Sequence, residues 1–157
     1  MKNVFIGLGT NLGDLTENLA VAKRRMSGYG IVIVNESAVE ETEPVEYTEQ
    51  PMFLNQTVCA ETGLTPRGLL DALLEIERGM GRVRKIPKGP RIIDLDILLY
   101  GDMIVDTEGL IIPHHAILSR DFLVRQIAEI DSQCRDPRSG RIFREVYDER
   151  YADKIGS

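Results

Sequence analysis

The sequence predicts an α+β fold of the ferredoxin-like (split βαβ) plan, a mainly antiparallel sheet flanked by helices. Two observations predict it. Read by hydrophobic period, the elements run β-α-β-β-α-β, with smaller pieces after them. At 157 residues, 43% of them hydrophobic, the chain also has the length and apolar content for one domain with a proper core, residues 1–157.

Val4 to Leu8 reads as the first strand, ending in the turn Gly9-Thr-Asn-Leu-Gly13. A helix follows, with Leu15, Leu19, Ala22 and Met26 at helical spacing. Ile31 to Val39 reads as a second strand. Glu40 to Met52 carries Pro44, Pro51 and several acids, and reads as a loop. Asn55 to Thr62 is a third strand. Thr65-Pro66 is a helix start, an N-cap followed by proline at the first helical position. That helix runs to about Met80, with Gly81 as its stop. Ile92 to Leu99 has the branched apolar composition of a strand. Gly101-Asp102 turns into a short strand near Ile104. Pro113 precedes a short helix, and a longer one covers about Arg120 to Ile130. The tail from Arg141 reads equally as strand, helix or neither.

Bulk properties exclude several classes. No apolar run approaches the roughly 18 residues of a membrane span, and the first residues lack a signal-peptide pattern. Cys59 and Cys134 are isolated and fit no metal spacing, so a reducing, cytoplasmic setting is expected. A formal charge of −6 argues against broad nucleic-acid binding.

Gly81 to Leu99 departs from this acidic background. Its first eleven residues hold five bases, Arg82, Arg84, Lys85, Lys88 and Arg91, and no acid. Crowding them is costly without an anion to neutralise, which points to a small polyanion. Pro87, Gly89 and Pro90 mark this segment as a loop. Asp94 and Asp96 follow on the strand. Side chains alternate faces along a strand, so both carboxylates point the same way. Such a pair either holds Mg²⁺ against phosphates or merely keeps a sheet face wet.

Other candidates are each ambiguous alone. Gly7, Gly9 and Gly13 follow a strand and open a helix, but the third glycine falls one residue late for a dinucleotide loop, so they read as turn formers. Glu77 falls on the apolar stripe of its helix among Leu70, Leu73 and Ile76; it either meets a base or lines a pocket floor. His114 offers an N–H to phosphate or serves a structural role, and Arg120 offers a further phosphate contact. Asn55 suits the amide-like edge of a flat heterocycle. Phe53 and Phe122 either stack on such a ring or belong to the core.

Taken together, these residues resemble the 6-hydroxymethyl-7,8-dihydropterin pyrophosphokinase family of folate biosynthesis. Lys88-Gly-Pro-Arg91-Ile-Ile-Asp94-Leu-Asp96-Ile-Leu-Leu matches that family's signature. Gly7 to Asp14, Gln50-Pro-x-Phe-Leu-Asn55, Ile76-Glu77, Gly81-Arg-Val-Arg84 and Pro113-His114 also fall at family spacing, so the resemblance covers nearly the whole chain. It implies transfer of the β,γ-diphosphate of ATP to the hydroxymethyl oxygen of the pterin, with release of AMP. It implies Asp94 and Asp96 as holders of two Mg²⁺ ions. It puts Arg82, Arg84, Arg91, His114 and Arg120 at or near the ATP phosphates and Glu77 at the nucleotide pocket. The pterin would be edge-bonded by Asn55 and by backbone at Thr42 and Val45, between Phe53 and Phe122. Catalysis would fall to Arg82, Arg91, Asp94 and Asp96. Loops 40–52 and 82–89 are expected to close over the substrates, and the enzyme is expected to work as a cytoplasmic monomer, with neither nucleic acid nor membrane as partner. Two positions depart from the family pattern: Lys88 stands where some members carry an aromatic, and Glu43 where proline is common.

Overall fold

In the computed structural model, which describes residues 1–44, 49–82 and 90–156, β1 (Lys2–Thr10) is the central strand. It turns at Asn11–Leu12 into α1 (Leu15–Ser27), where the Asp14 side chain accepts from the Glu17 N–H at 3.1 Å and so caps the helix. β2 (Ile31–Glu36), β3 (Glu40–Thr42) and β4 (Phe53–Thr62) follow. Then come α2 (Pro66–Gly79), β5 (Asp94–Tyr100), the hairpin β6 (Val105–Thr107) and β7 (Leu110–Ile112), α3 (Asp121–Ile130) and α4 (Phe143–Gly156).

The main sheet is ordered β2-β4-β1-β5, with β3 also on β4, and every pairing is antiparallel. The long strands thus have the arrangement of the split βαβ plan. One face of β1 sends Val4, Ile6 and Leu8 into a core shared with α1 and α2. The other face sends Phe5 into a second cluster with Leu123, Val124 and Ile127 of α3 and Phe143 and Val146 of α4. A register shift between Phe5 and Ile6 lets both Leu98 and Leu99 of β5 join that second cluster, although they are neighbours in sequence.

Thr65 caps α2 through its hydroxyl, 3.0 Å from the Gly68 N–H, with Pro66 directly after it, and Gly81 lies beyond the helix end at φ +88°. Four expectations need correction. The second strand breaks at Ser37 instead of running to Val39. The Ser37 N–H donates to Thr57 O at 2.9 Å and its hydroxyl accepts from the Thr57 N–H at 3.0 Å, so a side chain replaces one rung of the ladder. Beyond that break, Glu40 to Thr42, expected in a loop, pairs with β4. Ile92 and Ile93 precede β5 rather than opening it. The short helix after Pro113 is a single turn closed by Ser119 and Arg120 N–H groups on Ala116 O, both at 3.1 Å. The open question at Arg141 resolves as α4, whose Phe143 is fully buried. Among the described residues no helix is long and apolar enough to cross a membrane.

Candidate active site

Two glycines of β1, Gly7 and Gly9, put no side chain on the upper half of the second sheet face. Register places Asp94, Gly9 and Asn55 side by side across β5, β1 and β4, and Asp96, Gly7 and Thr57 in the next row. A methyl group at Gly9 would lie 2.9 Å from Asn55 Oδ1 and 3.6 Å from the Phe53 ring. Gly7 and Gly9, expected as turn formers, are instead strand residues that form the floor of a trough, and only Gly13, at φ +87°, lies in the turn. Asp94 and Asp96 stand at one rim and Phe53 and Asn55 at the other.

β5 is an edge strand, and two of its backbone groups are taken by site residues. The Leu95 N–H, between the two aspartates, donates to Glu77 Oε2 at 2.8 Å. Leu98 O accepts from the His114 N–H at 3.0 Å. Glu77, 4% exposed on the last turn of α2, also accepts from Arg82 Nη1 at 2.8 Å. It therefore meets the base that its place on an apolar stripe demanded.

Arg82 reaches Asp94 as well, at 2.8 Å, and Arg91 approaches the other Asp94 oxygen at 3.3 Å. Burial works against both guanidinium charges. At Arg82 the neighbouring Asp94 and Glu77 more than compensate, and its pKa is raised. At Arg91 burial prevails over the pull of Asp94, with repulsion from Arg82 adding to it, and its pKa is lowered. Both remain cations near neutrality. The Arg91 guanidinium also lies over the Phe53 ring, 5.0 Å from its centroid.

Asp96 is the more open carboxylate, 40% exposed against 26% for Asp94. His114 Nε2 is 3.8 Å from it. His114 Nδ1 accepts from the Ala116 N–H at 3.0 Å, so in the neutral ring the proton sits at Nε2, on the Asp96 side. His115 stacks on His114 at 4.5 Å, and a depression of about 270 Å³ lined by Ile111, Pro113 and Ile117 opens beside the pair. On the other rim the Asn55 amide donates to the Thr42 hydroxyl.

The structure thus gathers Glu77, Arg82, Arg91, Asp94, Asp96 and His114 on one side and Thr42, Phe53 and Asn55 on the other. Arg120 is the half-buried N-cap of α3, and no described hydrogen bond or ion pair joins it to the carboxylates. Phe122, on the first turn of α3, packs against the second apolar cluster. Val45 and Arg84 lie outside the described residues, with residues 45–48 of one expected closing loop and 83–89 of the other.

Asn11 is a participant that sequence reasoning passed over. It is 3% exposed, and its Oδ1 accepts from the Arg91 N–H at 2.9 Å while its own N–H donates to Arg91 O at 3.2 Å. Its Nδ2 donates to Gln50 Oε1 at 2.8 Å and Pro51 O at 3.1 Å. An asparagine between two glycines in a strand-to-helix turn was the available signal.

The class is an antiparallel split βαβ domain whose edge strand carries an acid pair, with Asp94 held by two largely covered arginines. Residues 5–132 match the family model for 7,8-dihydro-6-hydroxymethylpterin-pyrophosphokinase (HPPK), and the chain belongs to that family. It is 42% identical over 131 residues to the 2-amino-4-hydroxy-6-hydroxymethyldihydropteridine pyrophosphokinase of Methylorubrum extorquens, covering 83% of each chain. The Bacillus subtilis protein of the same name is 40% identical over 135 residues, 85% of this chain and 81% of that one. Longer relatives match too. Against the folic acid synthesis protein fol1 of Pneumocystis carinii the identity is 40%, and the match covers 87% of this chain but 18% of that protein. Among solved structures, the wild-type Plasmodium falciparum HPPK-DHPS with pteroate superposes over 99% of this chain and 46% of its own, with a TM-score of 0.80 at 15% identity. That likeness speaks for the fold.

Proposed function

We propose that the chain transfers the β,γ-diphosphate of ATP to the exocyclic hydroxymethyl oxygen of 6-hydroxymethyl-7,8-dihydropterin and releases AMP. In this reading residues 1–157 act as one catalytic domain and as a monomer. The observation that carries it is the pairing of two unlike rims across a glycine floor. One rim is charged (Asp94, Asp96, Arg82, Arg91), and the other has an aromatic and an amide (Phe53, Asn55). A flat heterocycle bearing a hydroxymethyl group, placed on the second rim, extends its hydroxyl toward the first. The unpaired Cys59 and Cys134 suit a reducing, cytoplasmic setting.

The donor set fits Mg²⁺. Asp94 and Asp96 are two hard oxygen donors on one face, and no group of three or more His, Cys, Asp or Glu among the described residues could hold a metal by itself. An ion held by one or two carboxylates plus substrate phosphates needs no more. Asp94 and Asp96 would hold it, two ions in the full reading. When bound it would neutralise phosphate charge and make phosphorus more electrophilic.

The chain's own residues do the rest. Attack of the hydroxyl oxygen on the β-phosphorus forms one P–O bond and breaks the bond to the α-phosphate oxygen, which leaves on AMP. Charge gathers on the phosphate oxygens, where Arg82, Arg91 and His114 supply fixed donors, with Arg84 and Arg120 as further phosphate contacts. Glu77 holds Arg82 in place at the nucleotide side. Asp96, the open carboxylate, orients the hydroxyl or takes its proton. Asn55 reads the heterocycle edge together with backbone at Thr42 and Val45, and Phe53 and Phe122 flank the ring. Closure of the two loops would exclude water and protect ATP from hydrolysis.

The test is direct. Incubation with ATP, Mg²⁺ and 6-hydroxymethyl-7,8-dihydropterin should yield AMP and the pterin diphosphate in equal amounts. ADP as the nucleotide product would mean transfer of a single phosphoryl group and would overturn the reaction type.

A further inference from the structure

The face of α3 toward the sheet carries one polar side chain that the reaction does not use. Gln126 is 1% exposed, in the middle of an apolar stripe with Leu123 and Ile127. Its Oε1 accepts from the Thr57 hydroxyl at 2.7 Å. Its Nε2 donates to Glu40 Oε1 at 3.2 Å and to Asn55 O at 3.3 Å. One amide therefore ties α3 to β3 and to two positions of β4. The neighbouring Arg125 adds a second tie, donating through Nε to Glu40 Oε2 at 2.8 Å. Hydrogen bonding to Glu40 keeps the Arg125 pKa raised despite burial.

The location matters more than the bonds. Phe122 lies four residues before Gln126, on the same helix face. Asn55 is the residue whose backbone oxygen Gln126 grips, and Glu40 is its register partner on β3. Resting on the functional reading above, we infer that Gln126 is a positioning residue for pterin recognition, setting how far Phe122 on α3 stands from Asn55 and Thr42 on the sheet. A purely apolar contact at this depth would let the helix slide, because dispersion has no direction. The three hydrogen bonds each have one, and they fix the helix in two dimensions over the sheet. No described hydrogen bond joins this network to Asp94, Asp96, Arg82 or Arg91, and of the proposed phosphate contacts only Arg120 shares α3, so the effect falls mainly on one substrate.

The experiment is Gln126→Met, which keeps side-chain length and removes the amide. Pterin and ATP affinities are measured separately by titration, and steady-state constants with both substrates. The wild-type titration comes first. Absence of pterin binding there overturns the functional reading, and this inference with it. Given wild-type binding, the variant should lose roughly tenfold in pterin affinity, the size of one strong pairwise coupling. ATP affinity and kcat at saturation should stay within about twofold, a spread that marks untouched sites. Unchanged pterin affinity in a folded Gln126→Met protein overturns the inference alone. Equal losses for both substrates also overturn it, since they mark general loosening. If Gln126→Met fails to fold, Thr57→Val removes the 2.7 Å bond from the other side, and the same two outcomes decide.

Discussion

Gly9→Ala isolates the trough from the rest of the fold. The new methyl would sit 2.9 Å from Asn55 Oδ1, closer than carbon and oxygen tolerate, and 3.6 Å from the Phe53 ring, an ordinary contact. The least costly relief is a shift of the Asn55 amide, which then loses its alignment with the Thr42 hydroxyl and with anything lying over the floor. The backbone itself bears little strain, because Gly9 is a paired strand residue without a positive φ. Loss of unfolded-chain freedom favours alanine by about 0.4–1 kcal/mol, offsetting part of the crowding. Stability should therefore change by less than about 1 kcal/mol, a Tm shift of only a few degrees. In the proposed reading Asn55 makes two hydrogen bonds to the pterin, and at about 0.5–1.5 kcal/mol each they put the binding loss near 1–3 kcal/mol. That is about 5- to 150-fold in pterin Kd. Fluorescence titration with the pterin, beside calorimetric titration with ATP, measures both. An unchanged pterin Kd in a folded variant would refute the argument that the glycine exists to leave room for Asn55.

Three further outcomes follow from the geometry. Asp96→Ala should lower diphosphate transfer by about a hundredfold or more while circular dichroism and Tm stay near wild type, since Asp96 is an open side chain. An active variant would remove Asp96 from the chemistry. Arg82→Ala should lower kcat more than it raises the pterin KM, and should destabilise by about 3 kcal/mol because buried Glu77 loses its 2.8 Å ion pair with Arg82. Adding Glu77→Gln should restore stability but not turnover; recovery of both would make the arginine purely structural. Burial, with Asp131 close by, pushes the Cys134 thiol from 9.0 up to about 12. The folded state then holds this proton more tightly than the unfolded state. Its contribution to stability is full below pH 9 and is lost as pH rises toward 12. Denaturant titrations of wild type and Cys134→Ser should diverge in that window, and parallel curves would contradict the shift.

Elements with a local cause were legible in the sequence. Thr65-Pro66 announces α2, and the period-2 spacing of Asp94 and Asp96 places both acids on one face. Glu77 was legible as a misfit, an acid on an apolar stripe, and so its meeting with Arg82 was foreseeable. What escaped depends on partners distant in the chain. The break of β2 at Ser37 follows from a hydroxyl that finds Thr57, and no property of residues 31–39 reveals that. Glu40 to Thr42 looked like loop because prolines and acids surround it, yet β4 is long enough to pair with a second short segment. Gln126 was the same kind of misfit as Glu77, a polar residue between Leu123 and Ile127. The signal was present, but its partners, Glu40 on β3 and Asn55 and Thr57 on β4, are distant in the chain. The charged rim was more readable than the proposed pterin rim because most of its residues, Glu77 and His114 apart, cluster within 82–96, whereas the other is assembled from β3, β4 and α3.

Asn11 stands 39, 40 and 80 residues from Gln50, Pro51 and Arg91, and binds all three with one amide and one N–H. Closing loops of that length costs entropy that a few hydrogen bonds cannot offset by themselves. These links can only persist once β4 and β5 have both docked on β1. Through this one buried residue the segment before Phe53 and the segment before Asp94 are set against each other, so the two rims share a single anchor.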